Sequence, residues 1–133
     1  AHAGEDAPVE YVWEAIDVLG VQRVGHGCAA VQDGELLKRL ARDRILVECC
    51  LSSNEHTWAV RAGQRHPVHT FLEAGVPVAI CCDNSTVSRT DQNHETLKAA
   101  RALGLPVARQ LHQQAAGWSF IRPETALQDE SLD

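Results

Sequence analysis

The chain has 133 residues, with 12 basic and 18 acidic side chains and a formal net charge of −6. The basic residues are scattered, and phosphate binding needs clustered Lys and Arg, so no nucleic acid is expected as a partner. No apolar run approaches the ~20 residues that cross a bilayer, and no basic segment leads into an apolar one, so no membrane is expected either.

From residue 9 to 19 the apolar positions Val9, Val12, Trp13, Ile16 and Leu19 recur at helical spacing. Gly20 suits the cap that ends such a helix. Residues 21–25 form a short strand candidate that ends at His26-Gly27. Asp33 can cap a second helix, with Leu36, Leu37, Leu40 and Ala41 on one face. The next apolar run covers 45–50 and ends in Ser52-Ser53-Asn54, read as a turn. Pro67 suits the first turn of a third helix carrying Val68, Phe71 and Leu72, which Gly75 closes. Residues 76–82 are the next strand, ending in Asp83-Asn84. One helix is expected over 91–103, closed by Gly104. Another starts near Pro106 and carries Val107, Leu111, Ala115 and Trp118. After Pro123 the tail turns polar and acidic and is expected to fray.

Near-continuous apolar strands alternating with helices predict a parallel α/β sheet. Polar residues recur at the strand ends: His2 to His26 is 24 residues, His26 to Ser52 is 26, and Ser52 to Asp83 is 31. Those are βα-unit lengths, and His2 would close a strand lying mostly upstream. Chemistry at the C-terminal ends of successive parallel strands points to a (β/α)₈ barrel. An open doubly wound sheet also binds ligands there, but no glycine-rich phosphate fingerprint follows any strand. Four βα units are about half of a typical ~250-residue barrel.

The strand ends carry the chemistry. His2-Ala3-Gly4-Glu5 sets an imidazole and a carboxylic acid around a glycine that permits a tight turn. His2 can ligate a metal and Glu5 can donate a proton; the plainer reading is a frayed terminus with a surface glutamate. His26, between Gly25 and Gly27, is a base or electrostatic stabiliser, or else a hydrogen-bonded core histidine. Asp83 can bind a metal and take a proton from water, and Asn84 can donate its amide to a heterocycle. The plainer reading of that pair is a helix or turn cap. Ser52, Ser53 and Asn54 brace the site or touch substrate, or simply make a turn. His56, His66, His69, His94 and His112 read as surface or packing residues, and Trp13 and Trp118 as helix-core residues. The five cysteines, Cys28, Cys49, Cys50, Cys81 and Cys82, are odd in number and include two adjacent pairs. Neighbours on a strand point to opposite faces, so they read as small buried thiols of a reducing, cytoplasmic protein.

Taken in order, these segments resemble the adenosine deaminase family of the amidohydrolase superfamily. The stretches that carry the resemblance are HAGE at 2–5, VWEAIDVLGVQRVGHG at 12–27 and LLKRLARDRILVECCLSSN at 36–54. HPVHTFLEAGVPVAICCDN at 66–84 continues it, with VSRT following. The resemblance implies the C-terminal half of a (β/α)₈ barrel, with residues 1–133 part of one domain and the N-terminal half outside the chain. It implies one Zn²⁺, with His2 and Asp83 as ligands. Glu5 would protonate the purine N1, His26 would assist the attacking water, and Gly4 and Asn84 would line the substrate, Asn84 near N7. The family's HxH motif, which supplies two more zinc ligands, is absent here and expected upstream. The proline common before the Ser-Asn turn is Leu51, and the usual small residue after Thr57 is Trp58. Both departures are expected near the substrate mouth.

The implied activity is hydrolytic deamination of adenosine or a related adenine-bearing nucleoside, a small-molecule purine substrate. Adenine, aminodeoxyfutalosine or an N6-modified adenylate are alternatives within the family. A half-barrel acting as a non-catalytic subunit is a reading of another class, and deamination of a pterin or pyrimidine is a third. The 133 residues alone are expected to be inactive.

Overall fold

The computed structural model describes residues 1–121; the tail after Pro123 lies outside the described residues. Four strands, β1 (His2–Ala3), β2 (Arg23–His26), β3 (Leu46–Cys49) and β4 (Val78–Ile80), form one parallel sheet in the order β1-β2-β3-β4. The pairing aligns His2 with Gly25, Gly25 with Glu48, and Glu48 with Ala79. Each step returns through helix, as parallel neighbours require. This is the sequential strand order of a (β/α)₈ barrel, of which four strands are present among the described residues.

The helices are α1 (Glu10–Asp17), α2 (Gly34–Arg42), α3 (Leu51–His56), α4 (Val68–Glu73), α5 (Ser85–Ser88), α6 (Gln92–Leu103) and α7 (Leu105–Ala115). Their buried stripes follow the expected period: Val12 and Ile16 on α1, Leu36 and Leu40 on α2, Val68 and Phe71 on α4, Ala108 and Leu111 on α7. These join Val24, Val47 and Val78 of the sheet in one core. Asp33 caps α2 by accepting from the backbone N–H groups of Glu35 and Leu36, and its other oxygen accepts from Trp13 Nε1 at 2.9 Å. That bond fastens α1 to the start of α2. None of the described helices is long and apolar enough to cross a membrane.

Several expectations need correction. The strands are shorter than the apolar runs, because only three or four residues of each run lie opposite a partner. Ser52-Ser53-Asn54 is helical, in α3, where no proline interrupts the turn. The four-residue α5 was not foreseen, since four residues are too few to show a period. Cys28, Cys49 and Cys50 are buried, but Cys81 and Cys82 are only half-buried, because the chain leaves the sheet there. Trp13 packs on the core, whereas Trp118 is half-buried beyond α7 and lies outside it.

Candidate active site

The candidate side chains gather where the strands end and the next segments begin. His2 lies on β1, Glu5 just after it, and His26 is the last residue of β2. His2 and His26 meet edge to face, with ring centroids 5.0 Å apart. Gly25 makes room for this: a Cβ there would lie 2.4 Å from Cδ2 of His2. Glycine is needed at Gly4 for another reason. Its φ is +64° and a Cβ would lie 2.5 Å from Cγ2 of Val12, so the missing side chain faces the core.

Glu5 is the most heavily held of these groups. Its Oε1 accepts from Asn54 Nδ2 at 2.9 Å and from Thr57 Oγ1 at 2.9 Å. His26 Nδ1 lies 3.3 Å from the same oxygen and 3.1 Å from Asn54 Nδ2. Among the described residues nothing bonds Oε2 of Glu5. Asn54 is fully buried and His26 is 3% exposed. Buried polar groups are costly unless bonded, and here each has a partner.

Asp83 is fixed from the same helix. Ser53 Oγ donates to Asp83 Oδ2 at 2.7 Å. Behind Ser53, the backbone N–H of Ser52 donates to the fully buried Glu95, whose other oxygen accepts from Thr90. Asn84 caps α5, its Oδ1 accepting from the Val87 N–H at 2.9 Å, so the capping reading holds for its oxygen. Its side chain bonds none of the other candidates among the described residues.

The backbone at this site is unusual. His26 and Asp83 have φ of +68° and +55°, a left-handed conformation that side chains other than glycine seldom take. Trp58 shares it, with φ +64°, and stands 74% exposed directly after Thr57. Leu51 is buried in the core.

Three bonding residues were not foreseen as individual players: Ser53 and Asn54, read as bracing the site, touching substrate or making a turn, and Thr57. His66 was misplaced among surface and packing residues. It is half-buried, its Nε2 lies 3.2 Å from Asn54 Oδ1, and its Nδ1 accepts from the Val68 N–H at 3.0 Å. Burial, with His69 and Lys98 nearby, pulls its pKa down to about 4. The H-P pair at the start of a helix was the one available signal.

His2 and Asp83 are donors of the kind zinc takes. Among the described residues, however, no group of three His, Cys, Asp or Glu side chains converges to hold a metal ion. These residues alone do not make a complete metal centre. A cavity of about 710 Å³, lined by Val21, Arg23, Arg39, Arg44, Trp118 and Phe120, lies at the opposite ends of the strands. It reaches none of the groups above.

The chain matches the family profile described as adenosine deaminase over residues 1–129. It is 42% identical over 123 residues to an adenosine deaminase of Shewanella loihica, covering 91% of this chain and 37% of that protein. It is 47% identical over 104 residues to an aminodeoxyfutalosine deaminase of Streptomyces coelicolor, covering 78% of this chain and 27% of that one. Among solved structures, an adenine deaminase from Arthrobacter aurescens superposes with a TM-score of 0.86 at 28% identity, covering 94% of this chain and 39% of that one. The chain thus spans about a third of the length of these relatives.

Proposed function

The chain belongs to the adenosine deaminase family, and from that premise we propose that the protein containing it deaminates an adenine-bearing nucleoside by hydrolysis, with adenosine the first candidate. The hold on Glu5 carries this reading. With two donors on Oε1, the free oxygen Oε2 is the one left to deliver a proton to a ring nitrogen. That proton is needed as the neighbouring carbon accepts water and becomes tetrahedral. Asp83, turned by Ser53, takes the proton from the attacking water, and His26 assists beside it. That proton then goes to the departing amine, which leaves as ammonia as the C–N bond breaks and the hydroxyl becomes a carbonyl, its proton restoring Glu5. Asn84 keeps its Nδ2 free for an acceptor such as N7, since only its oxygen is used by the cap.

The reading includes one Zn²⁺, with His2 and Asp83 among its ligands and the rest supplied from outside residues 1–121. Bound zinc would make water nucleophilic at neutral pH. Residues 1–133 are then part of a single barrel domain. A reducing, cytoplasmic setting goes with it: all five cysteines are free thiols, and burial pushes Cys28 up to about 12 and Cys81 up to about 11.

Trp58 favours a second reading, in which the substrate is an adenine compound other than adenosine. A large side chain next to Thr57, in a backbone position that favours glycine, alters the surroundings of whatever Glu5 addresses. The test is a panel of adenosine, adenine, aminodeoxyfutalosine and N6-methyl-AMP on the full-length, zinc-loaded protein, scored by formation of the 6-oxopurine product, with ammonia (or methylamine from N6-methyl-AMP) as the co-product. Adenosine as the best substrate supports the first reading, and another adenine compound the second. No 6-oxopurine product from any of them would sink both and leave a non-catalytic subunit.

A further inference from the structure

We propose that His66 is a positioning residue for this deamination, acting through Asn54 to orient Glu5 and His26. The proposal rests on the functional reading above for its consequence, and on the hydrogen-bond geometry for its substance.

The hydrogen-bond path starts at a backbone amide. The Val68 N–H, in the first turn of α4, can only donate, and it points at His66 Nδ1 from 3.0 Å. Nδ1 must then be the unprotonated nitrogen, and a neutral His66 carries its hydrogen on Nε2. A pKa of about 4 keeps the ring neutral at physiological pH. Nε2–H needs an acceptor, and the group at 3.2 Å is Asn54 Oδ1. This settles which way the Asn54 amide faces. Its oxygen points to His66, and its two hydrogens point the other way.

Two acceptors wait for those two hydrogens: Glu5 Oε1 at 2.9 Å and His26 Nδ1 at 3.1 Å. Each hydrogen has one place to go. His26 therefore receives at Nδ1 and holds its own proton on Nε2, while Glu5 is fixed by Oε1 with Oε2 left free. An Asn54 turned the other way would set its oxygen against Glu5 Oε1, acceptor facing acceptor. His66 touches neither Glu5 nor His26, yet its tautomer selects the arrangement of both. The whole path is buried or half-buried, where water is a poor substitute for a missing partner.

Two variants of the full-length, zinc-loaded protein test this. His66→Phe removes the donor, and His66→Gln keeps an N–H for Asn54 and an oxygen for the Val68 amide. We expect His66→Phe to lower kcat by about ten- to a hundredfold with KM within about threefold, because the reacting groups lose orientation. His66→Gln should recover most of that loss. Selective ¹⁵N labelling of the histidines adds a readout independent of activity: Nδ1 of His66 should appear unprotonated and Nε2 protonated. A His66→Phe protein with unchanged kcat, a folded His66→Gln protein as slow as His66→Phe, or a His66 proton found on Nδ1 would each overturn the proposal. If His66→Phe does not fold, the labelling experiment and His66→Gln decide it. If the parent protein deaminates nothing, the functional reading falls, and the labelling still decides the hydrogen-bond path.

Discussion

At the scale of single residues, two glycines a short way apart answer to different demands. On Gly25 a methyl group would meet the end of a side chain, the ring of His2, which can swing aside. On Gly4 it would meet Val12 in the core, at a φ that L residues resist. In the full-length protein, Gly25→Ala is therefore expected to change stability by less than about 1 kcal/mol. It should still cost about ten- to a hundredfold in zinc affinity or deamination. Gly4→Ala should instead cost roughly 2–3 kcal/mol of stability. Urea unfolding and metal content measured side by side would separate them; equal effects of the two on stability would count against the argument. His66 gives a pH dependence. Its folded pKa, about 4, lies below the ordinary value of 6.5, so the unfolded chain binds the extra proton first. Its contribution is complete above about 6.5 and is lost as pH falls towards 4. Between pH 7 and 5 that is on the order of 2 kcal/mol, and His66→Gln should flatten this part of the pH–stability curve. An unchanged slope in the variant would refute it. Much at this scale was legible: His2, Glu5, His26 and Asp83 stand out as polar residues at strand ends. His66 and Thr57 did not, because each acts through a contact far away in sequence, 12 residues for His66–Asn54 and 52 for Thr57–Glu5.

At the scale of elements, α3 is the hub. Three consecutive residues reach three different parts of the site: the Ser52 amide to Glu95 of α6, Ser53 to Asp83 after β4, Asn54 to Glu5 after β1. Glu95 is the anchor, since both its oxygens accept, one from the Ser52 N–H and the other from the Thr90 hydroxyl. Glu95→Ala would leave the Ser52 N–H and the Thr90 hydroxyl without this acceptor. We expect a loss of about 1–3 kcal/mol in unfolding free energy and a drop in kcat. Unaltered stability and rate would show that α3 stands without it. The long helices were readable from their caps and stripes, Asp33 and Asp91 above all. α3 was not, because Ser-Ser-Asn is also the composition of a turn, and only its bonds across the sheet distinguish the two.

At the scale of the whole molecule, β1 and β4 each have a partner on one side only among the described residues. Unpaired parallel strands are templates for association. Residues 1–133 produced alone are expected to self-associate with rising concentration and to release no ammonia from adenosine, even with zinc. A monodisperse, cooperatively unfolding chain with turnover would contradict this. The βα spacing of strand-end residues was enough to foresee a parallel barrel-type sheet, because the distance between strand ends is set by one strand and one helix. The conformation of the strand ends was not, since nothing in the letters reveals a left-handed φ at a histidine or an aspartate.

That conformation has an evolutionary consequence. Asp83, exposed and at φ +55°, sits where glycine would be more comfortable by about 1 kcal/mol. A lineage selected for thermal persistence alone would drift to glycine at that codon. On the function proposed above, selection for turnover is what holds aspartate there. Asp83→Gly in the full-length protein should melt no lower than the parent while losing deamination. A clearly lower melting temperature would show that the carboxylate also serves the fold.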